Sequence, residues 1–136
     1  MEVTELERLR DAAAAVVRRF EDARLVVVFG SVATRTARPW SDVDLGVAGL
    51  DLWRGAELGH ALGSVFGREP HVVDLDTASD RLRFEVARSG VLLRESEPGA
   101  WARFQAEAAV RWFDLAPIVA LCKNGVEQRL MRDALG

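Results

Sequence analysis

Apolar residues recur at helical steps over the first stretch of the chain. Leu6, Leu9, Ala13, Val16, Val17 and Phe20 form one stripe, which predicts a helix from Val3 to Phe20. Thr4 followed by Glu7 fits a capping box at its start. The period then changes. "RLVVVFG" is a short β-branched run closed by glycine and predicts a buried strand from Leu25 to Phe29. "SVATRTA" reads as one or two helical turns from Ser31, ended by Pro39. "SDVDLGV" alternates polar and apolar and predicts a strand from Asp42 to Val47. Leu52, Leu58, Leu62 and Phe66 then mark a helix weakened by its glycines. "PHVVDL" is a third strand. Asp76, Thr77 or Ser79 is placed to cap a helix running to about Ser89. "GVLLRES" is a short fourth strand. From Pro98 the spacing of Trp101, Phe104, Ala108, Trp112 and Leu115 is helical, with Pro117 expected to kink or interrupt it and Gly125 to precede a last helix. This order is that of an α/β or α+β sheet domain with a C-terminal helical extension, a core over about 1–96 and the extension over 97–136.

The 136 residues suit a single domain able to bury roughly 68% of its unfolded surface. Charged residues make up 29% and apolar ones 49%, an ordinary globular balance. The net charge of −3 argues against direct nucleic-acid binding as the main task. Cys122 stands alone and forms no internal disulfide. No signal-peptide pattern and no apolar run of membrane-spanning length is visible, so a cytoplasmic protein is expected, with no membrane partner.

The chemistry concentrates in "VVVFGSVATRTARPWSDVDLGV", Val26 to Val47. Residues i and i+2 of a strand share a face, so Asp42 and Asp44 project side by side. Two carboxylates about 4 Å apart near a surface repel by roughly 4 kcal/mol at an effective dielectric near 20. A divalent cation offsets that repulsion, and carboxylates with phosphate oxygens suit Mg²⁺. Upstream, a strand ending in Gly30-Ser31 lets backbone N–H groups and a hydroxyl approach a phosphate. No Gly-Lys-Ser/Thr follows, and G-x-G-x-x-G is absent. A lone D-x-D is usually the solvated face of an edge strand, and a lone Gly-Ser a turn. In order, on adjacent strands, they point to a triphosphate site.

Gly-Ser, ten residues, then Asp-x-Asp resembles the motif of the polymerase-beta-type nucleotidyltransferases. The short chain is similar to the minimal nucleotidyltransferases. "VVDLDTAS", "LRFEVARSGVLL" and "DLAP" further resemble the MNT antitoxins that pair with HEPN toxins. The resemblance implies a polymerase-beta palm-like nucleotidyltransferase fold, a mixed sheet of about four strands with flanking helices. It implies Mg²⁺ or Mn²⁺, an NTP such as ATP as substrate, Asp42 and Asp44 as the catalytic metal pair, and Gly30 and Ser31 on the triphosphate. Arg35 and Ser41, in the intervening loop, are further candidates for that contact, and Arg38 is a third. A solvated loop explains the arginines equally well.

The family carries a third aspartate on the neighbouring strand, in a "VDLVDL"-like stretch. Here the corresponding "PHVVDLDTAS" puts His71 at that position and Asp74 at the second aspartate. Three readings stand: His71 as general base; Asp74 as replacement ligand, although an unbroken strand turns it to the opposite face; or an impaired site. Asp76 and Asp80 read as turn or capping residues, and His60 as an exposed one. Trp101, Phe104 and Trp112 share a helix face that packs the extension on the sheet or, where exposed, meets a partner or a second subunit.

Two functions follow. The first is transfer of NMP, AMP from ATP foremost, to a partner protein, the resemblance implying a tyrosine of a HEPN-type toxin as acceptor; the chain has no tyrosine of its own to modify. The second is an antitoxin that silences its toxin by binding alone. Small-molecule nucleotidyl transfer ranks lower, because no substrate domain is evident.

Overall fold

The structure, a computed structural model, describes the backbone of residues 3–30 and 43–123 and the side chains of residues 7–8, 10–30 and 43–114. In chain order the elements are α1 (Val3–Val17), β1 (Leu25–Phe29), β2 (Asp44–Ala48), α2 (Leu52–Phe66), β3 (His71–Asp74), α3 (Asp80–Ser89), β4 (Val91–Glu95) and α4 (Ala100–Lys123). The helical turns expected from Ser31 and the last helix expected after Gly125 lie outside the described residues. Helix α1 is already running at Val3, so Thr4 sits inside it instead of capping it.

The strands form one sheet in the order β3-β2-β1-β4. Strand β1 runs antiparallel to both β2 and β4, and β2 runs parallel to β3, so the sheet is mixed. Alternate residues of each strand feed two cores. Val26, Val28, Leu45 and Val47 pack against Ala13 and Val17 of α1 and Leu58 and Leu62 of α2. Leu25, Val27, Phe29 and Ala48 pack against Val86 of α3 and Phe104 and Ala108 of α4. Both central strands are covered on both faces, which is why their sequences are near-continuous apolar runs.

The helix ends follow local chemistry. Asp51 caps α2, accepting from the Arg54 N–H at 2.8 Å, and Gly67 closes it in the left-handed region. Ser79 is the cap of α3, accepting from the Leu82 N–H at 3.2 Å. The glycines of α2 are a packing device: a Cβ on Gly59 would stand 2.9 Å from Val72 Cγ2, so β3 lies closer to the helix than any other residue allows. Helix α4 passes through Pro117 to Lys123 without the expected interruption. Proline's fixed φ is itself helical, and the lost backbone hydrogen bond is one among many along a helix this long. Trp101 stacks on the buried Phe104, and Trp112 stacks on Phe84 of α3, each at 5.6 Å, so the aromatic face of α4 packs inward. Among the described residues no helix is long and apolar enough to cross a membrane.

Asp76 ties three strands together at one end of the sheet. It accepts from the Gly49 N–H at 2.9 Å and from the Arg24 guanidinium. Partial burial works against its charged form, but those two donors outweigh it and hold the carboxyl below its usual range. A carboxylate with a lowered folded pKa stabilises the fold above its unfolded pKa, about 3.9, and loses that contribution as pH falls through the folded value. Asp76→Asn is therefore expected to lower stability at pH 7 by about 1 kcal/mol, solvent screening of this half-exposed pair included. In denaturant melts the gap from wild type should close below about pH 3.9; a gap constant down to pH 2 would contradict the assignment.

Candidate active site

Three adjacent strands bring residues of the motif together at the opposite end of the sheet from Asp76. Antiparallel pairing sets Phe29 across from Asp44, so Gly30 leaves β1 beside Asp44. Parallel pairing sets Asp44 across from His71. The His71 N–H donates to the Val43 carbonyl at 2.7 Å, which pins that register. Gly30 has φ +79°, and a Cβ placed on it would stand 2.5 Å from Asp44 Oδ2. Glycine is thus required twice, by the backbone turn and by the carboxylate. The other carboxylate oxygen, Oδ1, lies 3.6 Å from His71 Nδ1. That is beyond hydrogen-bond length. Asp44 is 31% exposed and His71 73%, so both are open to a ligand.

Asp42, Ser31, Arg35, Arg38 and Ser41 lie outside the described residues. Asp74 is described, and the structure does not bring it to Asp44. It pairs in register with Val47, three residues along from His71. Its carboxylate accepts from the Asp76 N–H at 2.9 Å and from Thr77 Oγ1 at 3.2 Å. Its side chain helps line a separate cavity of about 230 Å³ on the α2 face, with Leu50, Leu52, Gly55 and Val72. Strand alternation is the reason: Asp74 is three steps along β3 from His71, and an odd number of steps turns it to the opposite face. His60 is exposed, as expected, with Nδ1 2.7 Å from Glu69 Oε1. Sequence reading did not find that cavity, nor the exposed Leu52 and Trp53 beside it; nothing in a helical pattern marks a residue left uncovered at a helix's first turn.

Among the described residues the donors that this end of the sheet offers a cation are one carboxylate and one imidazole. Among the described residues no group of three His, Cys, Asp or Glu gathers. Asp44 suits a hard cation such as Mg²⁺, which takes oxygen ligands; the His71 nitrogen does not. In position, the pair meets the end of a strand whose exit glycine admits no side chain, a place where a phosphate-bearing ligand and a cation can approach the backbone together.

A mixed sheet between helix layers, carrying an aspartate and a glycine exit at the ends of its central strands, is a nucleotidyltransferase fold. The family model for polymerase beta nucleotidyltransferases matches residues 13–98, and the chain belongs to that family. The structure of a minimal nucleotidyltransferase is 36% identical, covering 67% of this chain and 95% of that one, with a TM-score of 0.55. A toxin–antitoxin crystal structure with AMP-PNP is 22% identical over 93% of this chain and 98% of that one, with a TM-score of 0.68. The complex of a tri-AMPylated Shewanella oneidensis HEPN toxin with its MNT antitoxin is 20% identical over 96% and 99%, with a TM-score of 0.62. Among curated proteins none matches.

The Gly30–Asp44 contact is testable on its own. Gly30→Ala should destabilise the fold by about 1–2 kcal/mol from positive φ alone, with a further cost from the carboxylate it meets. In an Asp44→Ala background the second cost disappears, so the double-mutant cycle should show a coupling of at least about 0.5 kcal/mol. Strictly additive effects would mean that the two residues do not share this space.

Proposed function

We propose that the chain is a divalent-cation-dependent nucleotidyltransferase that moves AMP from ATP to a tyrosine of a HEPN-type toxin, as that toxin's antitoxin. The observation that carries this reading is the convergence of Gly30, Asp44 and His71 at one end of β1, β2 and β3 in a chain of this family. In this reading Asp42 and Asp44 hold the cation. Gly30 and Ser31 receive the triphosphate, and Arg35 and Ser41 assist. The cation supplies charge neutralisation for the pyrophosphate that leaves. The missing Cβ at Gly30 keeps the space beside Asp44 open to ligand oxygens. Support for the substrate and partner comes from the fold neighbours, one described with AMP-PNP and one with an AMPylated HEPN toxin.

A second reading, neutralisation by binding alone, rests on one observation. The strand position facing Asp44 holds an imidazole, where the resemblance led us to expect a carboxylate.

Incubation with labelled ATP, Mg²⁺ or Mn²⁺ and a HEPN-type partner separates the two. Transfer should label the partner, and Asp44→Asn should slow it by about 10²-fold or more, the several kcal/mol a lost cation ligand removes. A partner silenced without label, by wild type and Asp44→Asn equally, would establish the binding reading instead.

A further inference from the structure

We infer that His71 is a ligand of the cation and that the site therefore takes a first-row transition dication in preference to Mg²⁺. The inference rests on the nucleotidyltransferase reading and deepens it.

The geometry points this way. His71 sits directly across from Asp44 on the same sheet face, and the nitrogen nearer the carboxylate is Nδ1. Bonds of about 2.1 Å place neighbouring donors on one cation about 3.0–3.4 Å apart. The observed 3.6 Å between Nδ1 and Oδ1 is within a few tenths of an ångström of that separation. It is too long for the hydrogen bond that would otherwise occupy both groups. The chain offers its own contrast. His60 and Glu69, also a histidine–carboxylate pair on the surface, close to 2.7 Å and satisfy each other. Among the described residues the charged group recorded against the His71 ring is the Asp44 carboxylate.

Ligand chemistry then sets the preference. Mg²⁺ demands oxygen donors, whereas imidazole binds first-row transition dications with affinity rising along the series from Mn²⁺. A general base has to keep its nitrogen lone pair for the acceptor hydroxyl, so an Nδ1 committed to the cation is not that base.

Electron spin-echo spectroscopy of Mn²⁺ bound to the full chain with AMP-PNP reads nitrogen ligation directly. Wild type and His60→Gln should show modulation from one bonded imidazole nitrogen, and His71→Gln should lose it. His71 is largely exposed, so this variant is expected to fold, which circular dichroism verifies. By calorimetry, the ratio of Mn²⁺ to Mg²⁺ affinity should fall about tenfold in His71→Asp relative to wild type. Mn²⁺ bound with nucleotide but without nitrogen modulation, or with modulation unchanged in His71→Gln, would overturn the inference and leave the nucleotidyltransferase reading standing. Absence of both cation and nucleotide binding in wild type would overturn the two together.

Discussion

The site depends on one constraint: a charged carboxylate must stand at the end of a strand that is otherwise sealed in the protein interior. Four of the five residues of β2 are buried, and all five of β1. Asp44 is the exception, the first residue of its strand, where the helices beyond the sheet no longer cover it. A carboxylate there keeps part of its hydration and avoids the several kcal/mol that full burial would cost. What makes the position usable is the neighbour without a side chain. Any residue other than glycine at position 30 would put a carbon where the Asp44 oxygen lies.

The second neighbour, His71, is set by packing far from the chemistry. Strand β3 reaches β2 only after α2, and it lies tightly under that helix because Gly59 leaves room for the Val72 side chain. Val72 on the helix face fixes His71 on the other, because strand faces alternate. The His71 and Leu75 N–H groups, bonded to the Val43 and Val47 carbonyls at 2.7 and 2.8 Å, hold the register at both ends. A one-residue slip would turn His71 away from Asp44 and present Val72 to it. The core and the site are therefore one design, in which apolar burial of alternate residues aims the polar ones.

Much of this was legible in the sequence. The run from Leu25 to Phe29 is bounded as a strand by its own composition, whereas the strand expected from Asp42 to Val47 is observed over Asp44–Ala48, with Asp42 outside the described residues. The Gly-Ser turn and the aspartates carried the family resemblance, because that spacing has a chemical reason. Other features depend on tertiary context. Which of Asp76, Thr77 and Ser79 caps α3 is decided by Arg24 and Gly49, far away in sequence, which engage Asp76 and leave Ser79 to the helix. Pro117 reads as a break, yet α4 continues through it. The position of Asp74 is half legible: alternation predicts the opposite face, which the structure shows, while it stands as a replacement ligand only because His71 occupies the place of the expected aspartate.

The central claim is that cation and nucleotide meet between the ends of β1, β2 and β3. Anomalous diffraction at the manganese edge, from crystals grown with Mn²⁺ and AMP-PNP, tests it most directly. The account predicts a single strong peak at bonding distance, about 2.1 Å, from both an Asp44 carboxylate oxygen and His71 Nδ1, with the triphosphate beside Gly30. Nucleotide seated elsewhere, for instance in the cavity under α2, or a peak that touches neither residue, would contradict it.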